Sequence, residues 1–249
     1  MSPNALVTGS GRRVGRAIAL ELAGKGFNIA VHCHRSEDAA EEVASACREL
    51  GVEAFVVQAD LSSPEGCQSL SKSVADQWHS LDVLVNNASL FEPRAFEAID
   101  DQTWQQVMEV NLLAPARLSR DLLPLLRAPS EGGAAGACGV VVHLCDIGAE
   151  RPLSGYAHYS VSKAGLVMLV KAMAVELAPD VRTVGVSPGQ VAWPEDYDAA
   201  TRERLTARVP LERVGTVDEV AALVRVLVTE STYLNGVVVP IDGGLSCRY

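Results

Sequence analysis

Residues 4–15, NALVTGSGRRVG, pass from a short apolar run through two glycines into a segment of helical periodicity. Asn4 to Thr8 read as a buried strand, Gly9 and Gly11 as a tight turn, and Val14, Ile18, Ala19 and Leu22 as one stripe of a helix that Gly24 and Gly26 end. A strand that turns through glycine directly into a helix is the opening of a βαβ unit, so the question for the remaining chain is whether the alternation continues.

It does. NIAVHC (28–33) is a second strand, leading through Ser36 to a helix with Ala39, Ala40, Val43, Ala46, Cys47 and Leu50 on one stripe, stopped by Gly51. EAFVVQAD is a third strand, Ser63 and Pro64 suit the cap and first turn of a helix, and LDVLVNNAS is a fourth strand. A long helix is predicted over roughly 101–127, then a flexible loop near 128–139 rich in small residues. GVVVHLCD delivers Asp146 at the end of a fifth strand; a helix near 155–178, strand TVGVSPG, a Thr216/Glu219 capping box before helix 217–229, and strand GVVVPID complete the chain. Continuous apolar strands alternating with helices predict a Rossmann-type doubly wound α/β domain, one parallel sheet of about seven strands covered on both faces, spanning 1–249. Ligands of such sheets bind beyond the strands' carboxyl ends, which singles out Thr8–Gly15, Cys33–Ser36, Asn86–Phe91, Asp146 and Pro188–Trp193.

Bulk properties narrow the function. The 249 residues carry a formal net charge of -10, which disfavours nucleic acid or an anionic membrane as a partner. No apolar run reaches the ~18 residues of a membrane span and no signal-peptide pattern opens the chain, so a cytoplasmic protein is expected. Its six cysteines lack metal-ligand spacing and read as free thiols, with no metal site. Against the global sign, Arg12, Arg13, Arg16, His32, His34 and Arg35 gather near the start, where they could hold a small phosphorylated ligand.

The turn TGSGRRVG offers backbone N–H groups and a helix start to a pyrophosphate, although Val14 stands where the G-x-G-x-x-G fingerprint has its third glycine. At the end of the second strand an NAD-binding domain usually places an acid; here His34, Arg35 and Ser36 offer donors to a 2'-phosphate, which points to NADPH. In YAHYSVSK, Tyr159 and Lys163 stand four apart on one helical face, where the lysine is expected to lower the phenol's pKa from about 10. Tyr156 shares that face but has no lysine four residues on, which leaves it as a wall residue and Tyr159 as the proton donor.

Taken in order, the TG turn, NNA at 86–88, Asn111, Tyr159 with Lys163, PG at 188 and DGG at 242 resemble the short-chain dehydrogenase/reductase family over nearly the whole chain. The resemblance implies Tyr159 as the acid, Lys163 as its partner and ribose anchor, and Asn111 as holder of a proton-relay water. It further implies cofactor contacts from Gly9, Arg12, Arg13, Val14, Asp60, Leu61, Asn87, Ala88, Ser89, Pro188 and Gly189, and a homotetramer built through the helices near 101–127 and 155–178.

Two positions depart from the family pattern: Arg13 replaces the middle glycine of TGxxxGxG, and Asp146 replaces a serine thirteen residues before the tyrosine. With HCHRS and NNASLF they resemble the pteridine reductase branch, which implies a pterin or folate site lined by Arg13, Ser89, Phe91, Asp146 and Tyr159. A serine hydroxyl suits a ketone, whereas a ring C=N under reduction needs a proton delivered to nitrogen, help worth roughly 100- to 10,000-fold. Phe91 is expected to stack on the ring, and Trp193, in a substrate loop near 190–210, to shield it. The expectation is an NADPH-dependent pteridine reductase. Its rivals are a carbonyl reductase such as a 3-oxoacyl reductase and an inactive NADPH-binding sensor.

Overall fold

The computed structural model describes residues 2–128, 139–193 and 197–248. Most of the expected loop near 128–139, with Cys138, lies outside them, as do 194–196 of the substrate loop. The seven strands are β1 (Asn4–Val7), β2 (Asn28–Cys33), β3 (Ala54–Gln58), β4 (Val83–Asn86), β5 (Gly139–Leu144), β6 (Val181–Pro188) and β7 (Val238–Ile241). They form one sheet in the order β3-β2-β1-β4-β5-β6-β7, and every pairing is parallel. The order reverses between β1 and β4, and the register Val7↔Val31 and Val7↔Val85 brings the residues that follow these strands to one edge.

Pleating explains why the strands are apolar throughout. Ala5 and Val7 point into a core shared with α1 (Arg13–Ala23), α2 (Glu37–Glu49) and α9 (Val217–Thr229). Leu6 points the other way, into a core shared with α3 (Pro64–Gln77) and α5 (Ala114–Asp121). The cap signals act as expected: Ser63 Oγ accepts from the Gly66 N–H at 3.1 Å, and Thr216 and Glu219 bond reciprocally at the start of α9.

Three expectations are corrected. The helix predicted over 101–127 is α4 (Asp101–Met108), a π-helical turn Glu109–Leu113, α5 and the short α6 (Leu123–Leu126). Pro115 has no N–H for the carbonyl four residues back, that of Asn111, so a regular ladder cannot run through. In α2 the stripe does not extend to Leu50, which is 53% exposed; Ala44 is buried instead, because the helix packs with Ala40, Val43, Ala44 and Cys47 inward. The stretch 190–210 contains α8 (Ala199–Thr206), whose N-cap Asp198 accepts from the Thr201 N–H at 2.7 Å. Between β5 and β6 lies α7 (Ala157–Glu176).

Among the described residues no helix is long and apolar enough to cross a membrane, and no group of three His, Cys, Asp or Glu could hold a metal ion. The described cysteines Cys33, Cys47, Cys67, Cys145 and Cys247 are free thiols.

Candidate active site

The turn after β1 is braced from within. Gly9 adopts φ +63°, and its N–H donates to His32 Nδ1 at 2.9 Å, while the Ser10 N–H donates to the His32 carbonyl at 3.0 Å. His32 Nε2 faces the Ala59 carbonyl at 3.1 Å, and burial lowers its pKa to about 4. His32 is therefore a neutral brace and leaves the expected cationic group. Because Gly9 and Ser10 have committed their amides, the N–H groups left for an anion are those at the start of α1. Gly15 is required by close approach: a Cβ there would lie 2.4 Å from the Gly9 carbonyl oxygen.

Thr8, not singled out by its residue type, joins this turn to the NNA segment. Its Oγ1 accepts from the N–H groups of Asn87 (2.9 Å) and Ala88 (3.0 Å), and Asn87 Nδ2 donates to the carbonyls of Thr8 and Gly9. Beyond β2 and β3, Arg12 donates to Ser36 Oγ at 2.7 Å and His34 Nε2 lies 3.6 Å from Asp60 Oδ2. Asp60 also accepts from the Ser62 N–H, the first cause of its lowered pKa, and the neighbouring Leu61 is buried. Arg12, His34, Ser36 and Asp60 are thus brought together, with Arg35 exposed beside them.

The centre of the site lies between the end of β5 and the first turns of α7. Tyr159 Oη donates to Asp146 Oδ2 at 2.8 Å, the Gly148 N–H donates to Asp146 Oδ1 at 2.6 Å, and Lys163 Nζ donates to the Leu144 carbonyl at 2.7 Å. Burial raises the pKa of Asp146 despite the Gly148 N–H and the Lys163 charge. Burial, then the Asp146 charge, pushes Tyr159 well above the ordinary phenol value, and burial lowers Lys163. The expectation of a phenol acidified by Lys163 is therefore corrected. The ammonium bonds a carbonyl and stands 5.6 Å from the ring centroid, while a carboxyl touches the hydroxyl directly.

Asn111 sits fully buried on the π-helical turn, with its side chain completely engaged. Oδ1 accepts from the Leu90 N–H (2.8 Å) and Ser89 Oγ (3.2 Å); Nδ2 donates to the Leu90 carbonyl (3.0 Å) and Ser162 Oγ (3.1 Å). It therefore positions the 89–90 loop, and Ser162, which sequence reasoning missed, holds it in turn.

Phe91, expected to stack on a substrate ring, stacks on Tyr156 with centroids 4.3 Å apart at 14°, and meets Tyr159 edge-on at 4.7 Å. One Phe91 face is thus covered by the residue left as a wall, so a stacked substrate would use the opposite face. Arg13 has φ +52°, a left-handed conformation that favours glycine, and its guanidinium donates to the Ala192 carbonyl at 3.0 Å. Next to that carbonyl, Trp193 packs against Tyr197 at 6.1 Å. Gly189, after Pro188, bonds the Ile241 carbonyl, and a Cβ on it would lie 2.7 Å from Asp242 Cβ, so this glycine is needed for packing against the DGG segment.

A tyrosine and lysine one turn apart, at the carboxyl edge of a doubly wound sheet and beside an asparagine on a helix kink, define a class of single-domain oxidoreductase. The chain belongs to the short-chain dehydrogenase/reductase family: the family model described as enoyl-(acyl carrier protein) reductase matches residues 9–246. It is 32% identical over 252 residues to the 3-oxoacyl-(acyl carrier protein) reductase FabG of Staphylococcus epidermidis, covering 98% of this chain and 99% of the relative. To the reductase of the same name from Aggregatibacter actinomycetemcomitans it is 34% identical over 249 residues, covering 98% and 100%. Among solved structures, a double mutant of a short-chain dehydrogenase/reductase from Serratia marcescens superposes with a TM-score of 0.89 at 29% identity, covering 98% of both chains.

Proposed function

We propose that the chain is an NADPH-dependent reductase whose substrate presents a ring C=N, a pterin or folate. The observation that carries this reading is the 2.8 Å contact between Tyr159 Oη and Asp146 Oδ2. The donor set at the ends of β2 and β3 fits the cofactor: Arg12, held against Ser36 Oγ, with His34 and Arg35 beside it, presents donors to a 2'-phosphate. The amides opening α1 and the Arg13 guanidinium would take the pyrophosphate, and Lys163 the ribose hydroxyls. NADPH, when bound, supplies a hydride to the ring carbon. Tyr159 then passes its phenolic proton to the adjacent ring nitrogen, and Asp146, protonated, restores it across the 2.8 Å contact. A carboxyl is a stronger acid than a phenol pushed upward, so when Asp146 carries the proton it is the acid and Tyr159 its conduit. Any relay water at Asn111 would be held by its backbone carbonyl, which has no donor from Pro115, since the side chain is engaged. Phe91, backed by Tyr156, offers its remaining face to the ring.

A second reading, a 3-oxoacyl thioester reductase, is favoured by the names of the relatives, and the comparisons support it better than a pterin. Purified protein assayed for NADPH oxidation against dihydrobiopterin, dihydrofolate and a 3-oxoacyl thioester separates the two. Turnover of a pterin or folate with at least tenfold preference supports the first. Turnover of the thioester alone sinks it, and NADPH binding without turnover of any substrate leaves an NADPH-binding sensor.

A further inference from the structure

The π-helical turn that carries Asn111 is bridged by a pair of charges. Glu109 opens the turn, Arg117 stands beyond it in α5, and Arg117 Nη1 donates to Glu109 Oε2. Both side chains are largely buried, that of Arg117 20% exposed and that of Glu109 16%. The main chain of Glu109 is engaged in the same turn, since its carbonyl accepts from the Ala114 N–H five residues on. Arg117 also lies beside the Cys67 thiol of α3. Asp121, one helical turn further along α5, is bonded by Arg120 instead. Arg117 is thus committed to the π turn.

The pairing depends on the geometry of that turn. Each step of a regular helix turns about 100°, so residues eight apart stand about 80° from each other round the axis. A π turn closes over five residues where an α turn closes over four, and so absorbs one residue. Glu109 and Arg117 are thereby placed like residues seven apart in a regular helix, within about 20° of one face and about 10.5 Å along it. A long side chain that leans back toward the helix N-terminus, as Arg117 does in reaching Glu109, spans that rise. Pro115 forbids one regular bond, that to the Asn111 carbonyl, but does not by itself choose where the extra residue is taken up. We infer that the Glu109–Arg117 pair makes that choice: it holds the π turn at 109–113, so both side chains are positioning residues for Asn111 and, through it, for the 89–90 loop. The effect on turnover rests on the proposed function, in which that loop leads to Phe91; the hold on Asn111 does not.

The test removes the pair without stranding a charge. Replacing a buried ion pair by apolar side chains is often neutral or stabilising, whereas removing one partner leaves the other uncompensated. Arg117→Met, Glu109→Met and the double variant are compared with the parent by thermal midpoint, by steady-state kinetics on the substrate that is turned over, and by hydrogen exchange at the Leu90 amide, which Asn111 Oδ1 holds at 2.8 Å. Exchange at the β5 amides is the standard for global opening. Each single variant should melt below the parent, and the double variant should recover. In the double variant Leu90 should nonetheless exchange about tenfold faster relative to β5, and kcat should be about tenfold lower with the KM for NADPH unchanged. Recovery of Leu90 protection and of kcat together with the thermal midpoint overturns the inference, because the pair would then serve stability alone. So does a Leu90 rate that rises only in step with β5. Should the double variant not fold, Glu109→Gln, which keeps the shape and loses the charge, takes its place: a relative rise of about threefold at Leu90 is expected, and a parental rate overturns the inference. If neither a pterin, a folate nor a thioester is turned over, the proposed function fails while Leu90 exchange still decides the hold on Asn111.

Discussion

Asp146 turns on a single substitution, a carboxyl where the family pattern has a hydroxyl, and its surroundings make the consequences measurable. Burial holds its proton more tightly in the folded than in the unfolded chain. Its contribution to stability is therefore fully present below the ordinary carboxylate range and is lost as pH rises through the raised value, each tenfold gain in proton affinity on folding being worth about 1.4 kcal/mol. Asp146→Asn removes that titration, so its thermal midpoint relative to the parent should climb from acid to mildly alkaline pH; a flat offset in parallel melts would contradict the assignment. In turnover, Asp146→Ser should lower pterin-dependent NADPH oxidation roughly 100- to 10,000-fold with NADPH affinity little changed. For a thioester reductase the same change should leave or improve activity. Arg13 poses the opposite balance. A non-glycine residue in the left-handed region costs roughly 1–2 kcal/mol, so Arg13→Gly should raise the thermal midpoint by about 2–8 °C. It should also weaken NADPH binding at least tenfold, as read by fluorescence titration, through loss of the guanidinium.

Among the elements, the segment 101–126 shows how one proline shapes a site. Pro115 denies a donor to the Asn111 carbonyl, the helix widens into a π turn, and Asn111 is turned to clasp Leu90 with both ends of its amide. Pro115→Ala restores an N–H in the first turn of α5, so a regular ladder can run from α4 into α5. The expected result is a protein with a higher thermal midpoint and a kcat lowered at least tenfold, because a straightened helix withdraws Asn111 from the 89–90 loop. Unchanged kcat in a stabilised variant would show that the kink has no part in turnover. The proline was visible in the sequence, but the helical periodicity around it was strong enough to read as continuous. In the other elements local chemistry sufficed: a Ser-Pro start for α3, a Thr/Glu capping box for α9, and apolar runs for β1 to β7.

The whole molecule leaves one helix incompletely covered. Along α7, Val161, Met168 and Val175 are 50%, 61% and 80% exposed on the face opposite the sheet, and a helix apolar on all sides is normally buried on all sides. A homotetramer with α7 in an interface is accordingly proposed. Sedimentation should give four times the chain mass, and Met168→Glu combined with Val175→Glu should release smaller species; a monomeric parent would refute it. The domain's net charge of -10 and its locally cationic edge coexist because Arg12, Arg13 and Arg35 are concentrated at one end of the sheet.

Order along the chain was enough to establish the alternation of strands and helices, the parallel sheet, and the edge at which the candidate site gathers, because period and punctuation are local properties of a polymer with two preferred backbone geometries. The pairing of Tyr159 with Lys163 followed from helical spacing alone. What awaited the three-dimensional arrangement was every property that depends on distance across the chain. It showed that the phenol answers to Asp146 rather than to Lys163, that His32 is a neutral brace, that Phe91 leans on Tyr156, and that Arg13 reaches residue 192. Charge state and ring orientation are set by desolvation and by neighbours from other strands, and no spacing within one segment encodes how much water a folded chain will leave around a carboxyl.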